Sequence, residues 1–285
     1  MRGSEGLGEL YVVATPIGNL KDITLRALEV LKEVPVIACE DTRRTLKLLS
    51  HYGIEGKKLI AYHEHNEREA EERIVNLLKE GLSVALVSDA GTPTISDPGY
   101  RLVKRAREEG IKVVPLPGPS AVVAALSASG LPTDRFLFYG FLPRKEGKLK
   151  EALKEIASYP FTVVAYEAPH RLKRTLEVLG ELYPEAEVGV YRELTKLNEE
   201  FLFGKPSEVL KELKEEGKLR GEIVLLFPPE FGGEEGEVEV SPAELLRELK
   251  EKGYSMKEAV KEVKERLSLP KREVYRQALE IFKEG

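Results

Sequence analysis

The chain has 285 residues, of which 42% are hydrophobic and 33% charged, a balance typical of a globular protein with room for two domains, and no apolar run approaches the ~20 residues that a membrane span needs. The only cysteine, Cys39, excludes an internal disulfide and any cysteine-based zinc site built within one chain. A net charge of -5 gives no global sign of a nucleic-acid partner, so an RNA-binding surface would have to be local.

Short β-rich runs alternate with helix-period segments in the first part of the chain. No signal-peptide core precedes the first run, so we expect a cytoplasmic protein. The alternation predicts a mostly parallel sheet covered by helices. The predicted strands are 10–14, 36–39, 59–62, 84–87 and 112–116, and the predicted helices are 24–34, one from Arg43, 68–80 and 99–109.

A second α/β block and three amphipathic stretches follow. The strands of this block are predicted at 161–169, 186–194, 199–204 and 222–227, and its helices at 170–182 and 206–216. A Gly-, Pro- and Glu-rich stretch with little to bury predicts a linker, and the amphipathic stretches after it predict three short helices. The predicted division is therefore an α/β domain at 1–140, a second at 141–228, a linker at 229–240 and a helical arm at 241–285.

Three loops at strand ends carry unusual sequences. Ligands of open α/β sheets bind beyond the C-terminal ends of the strands, so these loops are considered together. The first, VVATPIGNL, lacks the G-x-G-x-x-G pattern, which disfavours a dinucleotide oxidoreductase. The second, SDAGTPTISDPGY, combines prolines that fix φ with glycines that permit close approach. The third, LPGPSA, leads into a helix of small residues that either leave room for a ligand or pack closely on a sheet.

The second loop contains two acids with different expected roles. Asp97 precedes Pro98 and Gly99 ahead of a helix, so we predict that it caps this helix. Asp89 lies at the strand end, where its carboxylate either meets a cationic or hydroxyl-bearing ligand or braces the loop by a hydrogen bond.

Six segments together resemble the ribosomal RNA small subunit methyltransferase I family: LYVVATPIGNLKDITLRALEVL, CEDTRRT, YHEHNE, SDAGTPTISDPG, PLPGPSA and YEAPHRL. The resemblance runs from about Glu9 to Gly285. It implies methylation of the ribose 2'-hydroxyl of a cytidine in the decoding centre of 16S rRNA, with S-adenosylmethionine as the methyl donor. It also implies the tetrapyrrole-methylase (class III methyltransferase) fold, in which two α/β domains hold the cofactor in the cleft between them. The layout of the C-terminal stretch, an amphipathic helix, a short SLP break and a further helix, predicts a small helix-turn-helix-like domain after them.

The resemblance also implies a cofactor site drawn from both domains. S-adenosylmethionine carries a sulfonium, an ammonium, a carboxylate, a ribose and an adenine, so its site needs exposed backbone groups at a Gly-rich turn and acceptors for positive charge. By this resemblance we assign to the site Pro16, Ser88, Asp89, Ala90, Gly91, Pro93, Ser120, Ala121, Tyr166, Leu194, Gly221 and Glu222.

Methyl transfer to a 2'-hydroxyl needs orientation and either a general base or a cation that stabilises the developing alkoxide. The segments YEAPHR and YRELTK follow strands of the second domain and supply carboxylates and cations. We predict catalytic roles for Glu167 and Lys196, while a solvated face or an RNA-phosphate contact explains each residue alone equally well.

Contacts to the substrate RNA are predicted at Arg43, Arg44, His170, Arg171, Lys271 and Arg272. A salt bridge at a helix N-terminus is the alternative for the first pair. The last pair opens the third helix of the C-terminal arm, which has eleven Lys or Arg against nine acids. Packing of these helices on the second domain or on a dimer partner is the alternative. The family resemblance also implies a homodimer that acts on 16S rRNA or the small ribosomal subunit.

Other functions are open at this point. The segment YHEHNE contains His63, Glu64 and His65. His63 and His65 would share a face of a strand, but no third ligand for the same metal ion follows at motif spacing, so we predict no metal. A class III methylase of a small tetrapyrrole-like molecule or of a protein is the nearest alternative, and a non-catalytic RNA-binding protein is another. The basic stretch PRKEGKLK and the C-terminal helices speak against a small substrate.

Overall fold

A computed structural model describes residues 6–215, 221–232, 242–267 and 271–283. The chain divides into two compact units, one ending at Phe231 and one beginning at Gly232. The first unit contains two five-stranded sheets. None of the helices in these described ranges has the length and apolar character that a membrane crossing requires.

The first sheet has the strand order β3-β2-β4-β1-β5, and all of its neighbouring strands are parallel. The predicted parallel sheet is therefore confirmed. Strands β2 and β4 are buried at every position, as expected for short apolar runs that helices cover on both faces. The elements are β1 (Leu10–Val13), α1 (Leu25–Glu33), β2 (Val36–Cys39), α2 (Thr42–His51), β3 (Lys58–Ala61), α3 (Glu67–Lys79), β4 (Val84–Val87), α4 (Tyr100–Glu108) and β5 (Val113–Leu116).

The second sheet has the order β6-β7-β10-β8-β9 and is mixed. Strands β6 and β7 are parallel, and the other neighbours are antiparallel. The elements of this half are α5 (Ala121–Ser129), β6 (Phe136–Phe141), α6 (Glu146–Ala157), β7 (Thr162–Glu167), α7 (Pro169–Leu182), β8 (Val188–Arg192), β9 (Glu200–Gly204), α8 (Pro206–Glu215) and β10 (Ile223–Phe227).

Two elements fall where the sequence predicted only a junction between domains. Strand β6 crosses residue 140 and pairs with β7 along its length, with a register shift between Phe138 and Gly140. Gly140 has a φ of 79°, a conformation that suits glycine at a bulge. The chain therefore joins the second sheet at Phe136, before the predicted boundary. The basic stretch that follows forms the start of α6, which buries Leu149 and Leu153 against this sheet.

Helix α5 packs on the second sheet. Val122, Ala125 and Leu126 form one buried cluster with Val164 and Val224. Close packing therefore accounts for Ala125, whereas Ala128 is exposed. The N-terminal end of α5 is left at the edge of the sheet, where the strand-end loops lie.

The second unit contains the three helices that the sequence predicts: α9 (Pro242–Glu251), α10 (Met256–Leu267) and α11 (Lys271–Lys283). Their buried side chains form a small core of their own, which includes Leu246, Val263 and Val274. Most of the predicted linker, 233–240, lies outside the described residues, as do the side chains of Lys271 and Arg272.

Candidate functional site

The three unusual loops of the first half meet because β4, β1 and β5 are neighbours in the sheet. Thr15 and Gly91 form a backbone bridge, with N···O distances of 3.0 and 2.9 Å. The Thr15 hydroxyl donates to the Ser88 carbonyl at 3.0 Å, and the Thr92 hydroxyl donates to the Pro119 carbonyl at 3.0 Å. These bonds tie the loops into one surface.

The loop after β4 is held in an unusual backbone conformation. Thr94 and Ser96 have φ values of 75° and 58°, which cost energy for residues other than glycine and persist only where the surroundings fix them. Gly99 has a φ of 133°, and a Cβ there would come within 2.9 Å of Leu86 Cδ2. The glycines and prolines of this loop therefore give it a fixed shape, as its composition predicts.

A cavity of about 420 Å³ lies between the loops of the first sheet and the edge of the second sheet. At this edge of the second sheet, β6 and β7 end and the antiparallel strand β10 begins. The cavity is lined by Ile17, Glu40, Arg44, Asp89, Ala90, Gly91, Thr92, Ile95, Ser96, Asp97, Ser120, Ala121, Phe141, Tyr166, Glu167, Ala168, Pro169, Gly221, Glu222, Ile223 and Val224.

Most residues assigned to the cofactor site line this cavity: Asp89, Ala90, Gly91, Ser120, Ala121, Tyr166, Gly221 and Glu222. The others lie beside it. The Ser88 hydroxyl donates to the Gly91 carbonyl at 3.0 Å, Leu194 packs against the cluster under α5, and Pro16 and Pro93 are buried in the loops. Their place in a cofactor site stays a prediction.

Asp97 does not cap α4, and that prediction is wrong. The helix begins at Tyr100 with Gly99 at its N-cap position, two residues later than the Asp-Pro pattern indicated, because Gly99 turns the chain at a positive φ. The carboxyl of Asp97 instead lines the cavity. Burial raises its pKa to about 7, and the neighbouring Glu40 adds to this shift.

The cavity contains a concentration of negative charge that the sequence did not reveal. Glu40 follows β2, the neighbour of β4, and burial together with the charge of Asp89 raises its pKa. Burial, with Asp97 and Glu222 nearby, raises the pKa of Tyr166 to about 12. A cavity with this electrostatic character favours a cationic ligand.

Asp89 braces the loops and also faces a cation. Its Oδ1 accepts a hydrogen bond from the Asp41 backbone N–H at 3.1 Å, and its Oδ2 lies 3.4 Å from Arg44 Nη1. Arg44 is 67% exposed in its side chain and lines the cavity, whereas Arg43 pairs with Asp41 at 3.2 Å outside it. Both arginines form salt bridges, and both side chains are exposed enough to contact an RNA phosphate as well. The two alternatives predicted for this pair therefore stay open.

Glu167 lies in a buried network at the start of α7. Its Oε1 accepts from the Ala168 backbone N–H at 2.7 Å, and its Oε2 accepts from the Thr175 hydroxyl at 2.6 Å. Arg171 Nη1 lies 3.4 Å from Oε1, and Nη2 donates to the carbonyls of Leu142 and Pro143 at 2.9 and 2.6 Å. The carboxylate and the guanidinium therefore join the ends of β6 and β7, and both have partners within the chain.

Lys196 lies in the loop after β8. Its Nζ is 3.0 Å from Glu193 Oε1, and the loop contains two residues with positive φ, Glu193 at 51° and Thr195 at 67°. A Cβ on Gly18 would come within 2.5 Å of Lys196 Cγ, so this loop touches the one after β1. Lys196 does not line the cavity.

His170 is exposed at the N-terminal end of α7, so it is free to contact a ligand. His63 and His65 lie in a turn, with ring centroids 5.9 Å apart. Among the residues that the structure describes, no three His, Cys, Asp or Glu side chains come together in a group suited to a metal ion.

Comparisons with known proteins agree with this geometry. Residues 9–210 match the tetrapyrrole (corrin/porphyrin) methylase family. The chain is 47% identical over 274 residues to "Ribosomal RNA small subunit methyltransferase I" of Halalkalibacterium halodurans, covering 94% of this chain and 93% of that protein. It is 48% identical over 225 residues to the protein of the same name from Hydrogenobaculum sp. (strain Y04AAS1), covering 78% of this chain and 96% of that one.

The fold is also shared with a solved structure. A uroporphyrin-III C-methyl transferase from Thermus thermophilus, described as complexed with S-adenyl homocysteine, superposes with a TM-score of 0.54 at 20% identity. The superposition covers 78% of this chain and 97% of that one. The two proteins therefore share a fold.

Proposed function

Since the chain belongs to the tetrapyrrole methylase family and, within it, to the ribosomal RNA small subunit methyltransferase I proteins, we propose that its cavity is the active site of an RNA methyltransferase. The enzyme uses S-adenosylmethionine to methylate the ribose 2'-hydroxyl of a cytidine in the decoding centre of 16S rRNA. The observation that carries this assignment in the structure is the acid-lined cavity at the junction of the two sheets.

The residues of the cavity fit this cofactor. A positively charged sulfonium and ammonium suit the carboxylates of Asp89, Asp97 and Glu222, which line the cavity. The N-terminal end of α5, at Ser120 and Ala121, also lines it, and the first N–H groups of a helix have no partner within the helix and attract a carboxylate. When bound, the cofactor would supply its methyl group to a nucleophile, with S-adenosylhomocysteine as the leaving group.

The chain's own contribution to the reaction is mainly orientation. The tied loops and the network of Glu167 and Arg171 fix the walls of the cavity, and rigid placement of the two reactants contributes several kcal/mol to catalysis. Because the Glu167 carboxylate already accepts hydrogen bonds, we propose that it positions Arg171 and the start of α7. Lys196 does not line the cavity, but its loop touches the loop after β1 at Gly18, so Lys196 stays the proposed cation for the developing alkoxide.

We propose that the RNA contacts extend beyond the cavity. Arg43, Arg44 and His170 are exposed near its edge, and phosphate contacts of this kind position an RNA without reading its sequence. The arm at 241–285, a homodimer, the small ribosomal subunit as partner and a cytoplasmic site of action are part of the same proposal. The charge of the arm supports its contact with RNA, and the relatives' names support the ribosomal partner. The homodimer rests on the family resemblance alone.

A binding experiment tests the cofactor site. Calorimetric titration with S-adenosylhomocysteine should show binding to the wild-type protein and about tenfold weaker binding to Asp89→Ala, because the variant loses a carboxylate of the cavity and the brace to Asp41. Asp134→Ala, at an exposed carboxyl outside the cavity, is the matched control and should bind as the wild type does. Equal affinities for all three proteins would remove Asp89 from the site.

Deletion of residues 233–285 tests the role of the arm. The first unit has its own cores, so the truncated protein should keep its cofactor affinity. Its affinity for the small ribosomal subunit should fall, and the dependence of that affinity on salt should become shallower as phosphate contacts are lost. The alignment with the Hydrogenobaculum relative spans 225 residues and 96% of that protein, so that protein is shorter than this chain. We therefore expect the truncation to weaken binding of the subunit without abolishing methyl transfer. An unchanged affinity and salt slope would show that the arm does not contact RNA.

A further inference from the structure

Two large apolar side chains line the cavity and remain exposed. Ile95 is 44% exposed and Phe141 is 57% exposed. Neither belongs to the buried clusters of the first unit, so packing of the core does not account for them. Exposed apolar and aromatic side chains that line a cavity are typical of a ligand-binding site.

The two side chains come from opposite walls. Ile95 lies in the loop after β4, and Phe141 ends β6 in the second sheet. The walls approach each other here, because a Cβ placed on Gly140 would lie 3.7 Å from Ser96 Oγ. The Phe141 ring meets Tyr166 at an interplanar angle of 65°, with centroids 5.4 Å apart, so Tyr166 fixes one edge of a ring that solvent still reaches.

We propose that Ile95 and Phe141 form an apolar clamp that holds the unpaired base of the target nucleotide, an inference that rests on the proposed function. Proteins recognise unpaired nucleotides of RNA by stacking the base on aromatic side chains, with cationic groups on the phosphates. Here the aromatic ring lies at the cavity together with an exposed arginine, Arg44.

Charge separates this clamp from the cofactor's part of the cavity. The carboxylates of Asp89, Asp97 and Glu222 suit the cationic centres of the cofactor, whereas an exposed phenyl and a sec-butyl group suit a flat, weakly charged ring. Because both side chains line the same cavity as these carboxylates, a base held between Ile95 and Phe141 has its ribose within the cavity where the methyl donor is proposed to bind. The clamp thus selects a nucleotide that has left its stack.

Substitutions at residue 141 test the clamp with unmethylated small ribosomal subunits as substrate. Phe141→Leu removes the aromatic face, so kcat/KM for the subunits should fall about tenfold or more, whereas Phe141→Tyr and Phe141→Trp should stay within about threefold of the wild type. Affinity for S-adenosylhomocysteine should be unchanged in all three. Phe136→Leu, at the other end of the same strand and 47% exposed, is the matched control and should have no effect.

Three results would overturn the clamp and leave the proposed function standing. Full activity of Phe141→Leu would show that no base stacks there. An equal loss of activity in Phe141→Tyr would show that shape and not the aromatic face matters. A parallel loss of S-adenosylhomocysteine affinity would assign Phe141 to the cofactor's adenine. If the wild-type protein transfers no methyl group to the subunits, the proposed function fails, and the clamp fails with it.

Discussion

Replacing Glu167 with alanine should lower the free energy of unfolding by about 3 kcal/mol, because removal of one partner leaves a largely buried guanidinium without its counter-charge. The Glu167 side chain is fully buried and that of Arg171 is 17% exposed. The Thr175 hydroxyl and the Ala168 N–H lose their acceptor in the same variant. Urea unfolding at neutral pH measures the loss.

Controls separate this network from ordinary surface charge. Glu177→Ala breaks two exposed pairs on the same helix, with Lys173 at 3.8 Å and with Arg174 at 3.6 Å, and should leave stability within error of the wild type. Glu167→Gln keeps an acceptor for Thr175 and should lose less than Glu167→Ala does. In a double-mutant cycle, Arg171→Ala should add little to Glu167→Ala. Additive losses, or a stable Glu167→Ala variant, would contradict the positioning role.

Replacing Asp97 with asparagine should stabilise the protein at pH 8 and weaken its cofactor binding. The folded-state pKa of Asp97 is about 7, raised from 3.8 mainly by burial. At pH 8 the carboxylate is ionised in a setting that disfavours its charge, and asparagine removes that cost, which amounts to at most about 4 kcal/mol. The same charge favours the cationic cofactor, so its loss should reduce affinity about tenfold.

The stabilising effect has a defined dependence on pH. Between pH 4 and pH 7 the folded protein retains a proton on Asp97 that the unfolded chain releases, so wild-type stability decreases as pH rises through this window. The difference between Asp97→Asn and the wild type should be near zero at pH 4 and complete above pH 7. Urea unfolding at several pH values, with Asp134→Asn as the exposed control, measures it. A difference that does not change with pH would show that folding does not raise the pKa of Asp97.

Much of the fold and the position of the site follow from local pattern. Short apolar runs such as VALV, alternating with helix-period segments, predict a parallel sheet, and the loops after neighbouring strands necessarily meet at one edge. The pattern alone places the loops of Gly91 and Ser120 at one edge, while the family resemblance supplies their assignment to the cofactor site together with Tyr166, and all three line the cavity. The cofactor itself came from the family resemblance and not from spacing or composition.

The remaining features depend on contacts between residues distant in sequence. Strand β6 was missed because FLFYGF contains a bulge at Gly140 and precedes a charged stretch that resembles a junction. Asp97 fits a helix-capping pattern locally, and only the turn at Gly99 directs it to the cavity. The exposure of Phe141 is likewise a property of the folded edge, since the sequence around it is typical of a buried strand.

The most direct measurement is methyl transfer from radiolabelled S-adenosylmethionine to unmethylated small ribosomal subunits, followed by alkaline hydrolysis of the 16S rRNA. We expect the label at a single cytidine of the decoding centre, with the phosphodiester on its 3' side resistant to alkali, because a 2'-O-methyl group blocks the internal attack that cleaves RNA. Label on a base, with ordinary cleavage at that nucleotide, or no incorporation by a protein that binds the cofactor, would contradict the assignment.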